Sequence, residues 1–138
     1  MKKILGLFIL TIFIVTSCVK QKFENDLFGY WTVEDYIYGG VDQMSPDLNV
    51  QLEFTNIDNG EGDMSMIYYF LGTQISDIGT FVLNEDYSQM EITFGNIGNT
   101  IWKVDLTMVN STLILNGYTE TNQGGVLSST AVYIKANK

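Results

Sequence analysis

Histidine and arginine are absent from these 138 residues, while cysteine and proline occur once each, at Cys18 and Pro46. Each absence excludes something. Without histidine there is no Ser-His-Asp triad, no imidazole general base and no histidine-ligated zinc. Without arginine there is no bidentate clamp for phosphate or carboxylate. A single cysteine forbids an intrachain disulfide. Positive charge is scarce: all seven basic residues are lysines, set against 16 acidic ones for a net charge of −9. Nucleic-acid binding needs a basic surface to displace counterions, so no nucleic acid is expected as a partner. A catalyst would have to work with Asp, Glu, Lys, Ser, Thr and Tyr alone, and no spacing brings two carboxylates together as a pair; an enzyme is not expected. The acidic stretch Asp58-Asn59-Gly60-Glu61-Gly62-Asp63 lacks the EF-hand spacing and reads as a turn. Neither metal nor cofactor is implied.

Long apolar runs are also missing. The one candidate covers residues 4–15, short of the roughly 20 residues that span a bilayer. It follows Met1-Lys2-Lys3 and precedes small residues, the layout of a secretory signal peptide, so residues 1–17 are set apart from the fold. Val15-Thr16-Ser17-Cys18 resembles the lipobox of bacterial lipoproteins. That resemblance implies cleavage before Cys18, a diacylglycerol thioether on its sulfur and fatty acylation of the new amine. The expected location is the bacterial cell envelope, at the outer membrane on its periplasmic or surface face. Each buried methylene contributes about 0.8 kcal/mol, so two or more chains anchor stably where one does not. From Cys18 onward five lysines face 16 acids, a balance of −11. Such a domain is repelled by anionic lipid, which leaves the anchor to hold it at the membrane. Residues 18–26 are expected to form the lipidated N-terminus and a polar tether.

What remains, residues 27–138, fits one domain with one core. Its pattern is that of strands. Tyr30 to Tyr38 is aromatic and β-branched and stops at Gly39-Gly40. Period-two alternation then recurs near residues 50–55, 64–71, 78–83, 88–95, 100–108, 112–118 and 127–135, with turn residues between the runs. Thr100 to Met108 alternates most cleanly, and Asn96 to Asn99 reads as the turn before it. Glu34 and Asp35, adjacent in a strand, are expected on opposite faces. No helical period stands out after residue 18. Eight sequential strands suggest an antiparallel meander, either a sandwich or a closed barrel; closure removes exposed sheet edges, so the expected fold is an all-β, eight-stranded antiparallel up-and-down barrel.

Gly29-Tyr30-Trp31 opening the first strand resembles the Gly-x-Trp motif of the lipocalins, and the whole of residues 27–138 is similar to small lipocalin-like lipoproteins of Bacteroidetes in length, lipobox and strand order. The resemblance implies that Gly29 and Trp31 close one end of the barrel and that Lys135, where the family usually has arginine, packs over the indole. Phe54, Tyr69, Phe81, Phe94, Trp102 and Leu113 are expected to face inward, lining either a plain core or a site for a small hydrophobic ligand at the open end. Tyr36, Tyr38, Tyr68 and Tyr118 are candidates for stacking on sugars or a partner protein. Two functions follow: a lipid-anchored carrier of a small hydrophobic molecule, or a non-enzymatic scaffold whose loops contact an envelope protein or polysaccharide.

Overall fold

The structure is a computed structural model that describes residues 17–95 and 100–138. Most of the expected signal peptide (residues 1–16) and the expected turn at 96–99 lie outside the described residues. The strands are β1 (Gly29–Tyr38), β2 (Val41–Asp42), β3 (Leu48–Asp58), β4 (Glu61–Phe70), β5 (Thr73–Leu83), β6 (Gln89–Phe94), β7 (Thr100–Val109), β8 (Thr112–Gln123) and β9 (Val126–Asn137). Every pairing is antiparallel: β3 pairs with β1, successive strands from β3 to β9 pair in turn, and β1 pairs with β9. The eight long strands therefore close into a barrel, while the two-residue β2 folds back on the end of β1.

Turn chemistry explains the hairpins. Asn59-Gly60, Gly39-Gly40 and Gly124-Gly125 all have both residues at positive φ, the backbone that matches the twist of two-residue hairpins. Leu71-Gly72 adopts the same geometry with Leu71 at φ 48° and 74% exposed, a costly conformation for a side chain of this bulk. Closing eight strands also needs close backbone contact. A Cβ on Gly117 would lie 2.1 Å from the Lys103 carbonyl oxygen, and one on Gly79 would lie 2.3 Å from that of Thr93. At both positions only hydrogen lets adjacent strands meet, the role of glycine kinks in sharply curved sheets.

The inward face carries the core: Trp31, Leu52, Phe54, Met64, Phe81, Ile92, Val104, Leu113, Leu115 and Ile134 are all buried. Phe54 and Phe81 meet edge to face at 5.5 Å between ring centroids. Two elements depart from the sequence reading. Residues 17–27 are helical (α1) rather than an irregular tether. Phe23 and Leu27 fall four residues apart on this helix, and both pack on the barrel core. An isolated helix of this length is marginal in water, so docking on the barrel is what stabilises it. The second departure is a bulge between Val33 and Asp35 in the β1–β9 ladder. It leaves both Glu34 and Asp35 exposed instead of on opposite faces, because the extra residue resets the inside-outside alternation.

Candidate functional site

The two ends of the barrel are built differently. One end collects α1, the β3–β4, β5–β6 and β7–β8 turns, and the C-terminus. Here Trp31 is fully buried and its indole N–H donates to the Leu27 carbonyl at 2.8 Å, stapling helix to strand. Glu24 of α1 accepts from the Gly60 amide at 2.7 Å and from the Tyr87 hydroxyl at 2.6 Å. Phe23 meets the Tyr87 ring edge to face at 5.5 Å. This end is shut.

The cation over the indole is not the expected one. Lys135 lies on the outer face of β9 and pairs with Glu34 at 2.7 Å. Hydrogen bonding to Glu34 raises its pKa, and the same bond lowers that of Glu34. Lys138 instead stands 5.0 Å from the Trp31 ring centroid and donates to the Asp26 carbonyl. The correction follows from alternation: Ile134 and Ala136 face inward, so Lys135 between them faces out. Gly29, at φ 104°, makes the turn from α1 into β1.

The opposite end is open and holds a cavity of about 270 Å³. Met66, Phe94 and Trp102 form its apolar part, with Tyr36, Tyr38, Tyr68, Asp77, Thr100, Thr121 and Gln123 around them. Trp102 packs against Phe94 at 5.3 Å and lies 6.4 Å from Tyr36. Hydroxyl pairs hold the wall: Thr100 with Thr121 at 2.9 Å, and Tyr38 with Thr119 at 3.2 Å. Burial, then the neighbouring Tyr38, pushes the Tyr36 hydroxyl up to about 12. Burial raises Tyr68 further, aided by Tyr36 and Asp77. Both phenols are therefore neutral donors at physiological pH.

Of the six residues expected to line a site, the structure brings only Phe94 and Trp102 to this cavity. Phe54, Phe81 and Leu113 are inward but belong to the filled core. Tyr69 is 38% exposed on the outer wall, and Tyr68 takes the inward position, in phase with Met64 and Met66. Tyr36 and Tyr38 were hidden by the bulge, which shifts the inward set from Trp31 and Val33 to even-numbered residues. Asp77 was legible in principle. Extending the inward phase of Leu83, Phe81 and Gly79 back along β5 reaches it, and its register partner is the inward Met66. Tyr118, by contrast, lies on the outer wall, beside a broader depression of about 520 Å³ that also includes Glu91, Lys103 and Asp105. Lys103 there pairs with Glu120 at 2.8 Å, and Gln89 with Asp105 at 2.9 Å. Among the described residues no three acidic or sulfur side chains converge on a metal-binding point.

A closed eight-stranded antiparallel barrel, plugged at one end and hollow at the other, is the class of protein these features define. Solved structures carry the same fold. A redesigned β-barrel, b11L5F_LGL, superposes with a TM-score of 0.58 at 18% identity, covering 83% of this chain and 93% of its own. A second redesigned barrel, mFAP0, solved bound to DFHBI, gives 0.55 at 17% identity over 82% of this chain and 99% of its own. EF1p2_mFAP2b, also bound to DFHBI, gives 0.56 at 15% identity over 83% and 94%. No family model and no curated protein matches the sequence.

Proposed function

We propose that this protein is a lipid-anchored, lipocalin-like binding protein of the bacterial cell envelope, which holds a small molecule in the open end of its barrel and catalyses no reaction. One observation carries the reading: the lumen is filled at the plugged end and hollow at the other, with an aromatic floor. A binding pocket needs this concavity and this mixture of apolar surface with a few polar groups. Two barrels of the same fold were solved with DFHBI bound, which supports small-molecule binding by a barrel of this kind. The lipobox supports the anchor, and the exposed Cys18 lies on α1, at the plugged end. Anchor and mouth would then sit at opposite ends of the barrel.

Native mass spectrometry of the chain purified from its own host tests the carrier. A bound small-molecule mass is expected, and a bare barrel that also takes up no small-molecule probe would overturn it. Cys18→Ala tests the anchor: the variant is expected in the soluble fraction, and its retention in the membrane pellet would sink that part. A second reading, a scaffold that binds an envelope protein through its loops, draws on the apolar tips at the open end. Phe70, Leu71 and Ile75 on one hairpin and Val126 and Leu127 on another are all exposed. A stoichiometric protein partner in the same purification, with an empty lumen, would favour it.

A further inference from the structure

The cavity is not the neutral, greasy pocket that a fatty ligand requires. Asp77 reaches it from β5, between Tyr68 of β4 and the aromatic residues Phe94 and Trp102. It is, among the described residues, the one charged side chain in the lining. Among the described residues no lysine pairs with it: Lys103 bonds Glu120, Lys135 bonds Glu34, Lys22 bonds Asp26, and Lys20 and Lys138 lie at the plugged end against Tyr87 and Trp31. The rest of the described lining is neutral: five aromatic residues, with Met66, two threonines and Gln123.

We propose that the lumen selects small organic cations, amines or quaternary ammonium compounds, with Asp77 as counter-ion and Tyr36, Tyr68 and Trp102 as aromatic walls. This rests on the reading of the lumen as a ligand site and names the chemistry of its occupant. Three physical arguments converge. A cation over aromatic faces is attracted by their quadrupoles, and more strongly once water is displaced. A neutral apolar guest would strip water from the Asp77 carboxylate and give nothing back, a penalty that discriminates against it. A fatty acid would bring a second negative charge to Asp77 inside a protein of net charge −9, whose field draws cations in and turns anions away.

The test uses an isosteric pair, choline and 3,3-dimethylbutan-1-ol, which differ in a charged nitrogen against a neutral carbon. Isothermal titration calorimetry on the full chain in a non-ionic detergent is expected to show choline bound ~10-fold or more tightly than the alcohol. Asp77→Asn is expected to shrink that preference several-fold, to the part the aromatic walls supply, with the alcohol, relieved of the buried carboxylate, binding at least as tightly as before and the circular dichroism spectrum of the barrel retained. Thr121→Trp, which fills the lumen, is expected to weaken both. Equal affinity for the two probes, both lost in Thr121→Trp, would overturn cation selection and leave the lumen as a binding site. A preference undiminished in Asp77→Asn would overturn the role of Asp77. Failure of both probes to bind would overturn the inference together with the reading on which it rests.

Discussion

Tyr87, in the β5–β6 turn, donates a 2.6 Å hydrogen bond to Glu24 of α1, a residue 63 positions earlier. The same carboxylate oxygen accepts the Gly60 amide from the β3–β4 turn. One side chain thus ties the helix to two separate hairpins. Glu24→Ala should cost about 1–3 kcal/mol, because it strands two donors that Glu24 now satisfies. Tyr87→Phe should cost less, since the amide keeps its partner. Urea unfolding followed by circular dichroism measures both, and equal effects would refute the shared latch.

Alkaline pH should loosen the same structure. Burial, then the bond to Glu24, raises the Tyr87 hydroxyl to about 12, and burial raises Tyr36 to about 12. In the unfolded chain these phenols titrate near 10. The folded state therefore keeps protons that the unfolded state has released, and stability falls as pH rises. The contribution is whole below about pH 10 and is lost as pH passes through about 12. Urea midpoints at about pH 8 and about pH 11.5 should differ in the wild type and differ less in Tyr36→Phe.

The two candidate lysines make opposite predictions. Lys138→Ala should destabilise by about 0.5–1 kcal/mol, through loss of the cation–π contact with Trp31, and should shift the emission of that buried indole. Lys135→Ala removes only a solvent-exposed pair with Glu34 and should leave the unfolding midpoint unchanged. The reverse ranking would restore Lys135 as the residue that closes the barrel.

Gly117→Ala forces a methyl against the Lys103 carbonyl, at a position where main chain rather than a flexible side chain would have to move. The expected cost is about 1–3 kcal/mol. Gly95→Ala is the control, because among the described residues the nearest neighbour to a new Cβ is 3.8 Å away. Thermal unfolding of the two variants should separate them clearly.

The barrel was legible because its signal is local. Alternation in β6 and β7 put Met90, Ile92, Phe94, Trp102, Val104 and Leu106 inside, and each is buried. Asn59-Gly60 announced its hairpin through φ values that such residues hold at little cost, whereas residues 119–125 read as a loop and only Gly124-Gly125 turns, β8 running on to Gln123. The helix was missed, although Val19, Phe23 and Leu27 recur at four-residue steps, because three positions in a polar stretch are a faint period.

By itself the sequence determined an all-β meander of strands with one buried face, since a two-residue rhythm can bury its apolar half on one face alone; the pairing of β1 with β9 closed that meander into a barrel rather than a sandwich. The tertiary structure decided the site. A single extra residue between Val33 and Asp35 turned Tyr36 and Tyr38 into the lumen. The register of β5 on β4 brought Asp77 in beside Tyr68, and the outward phase of Lys135 on β9 left Lys138 to cover the indole. Such matters are fixed by which strands pair and in what register, and alternation along one strand does not encode a bulge that answers to its neighbour.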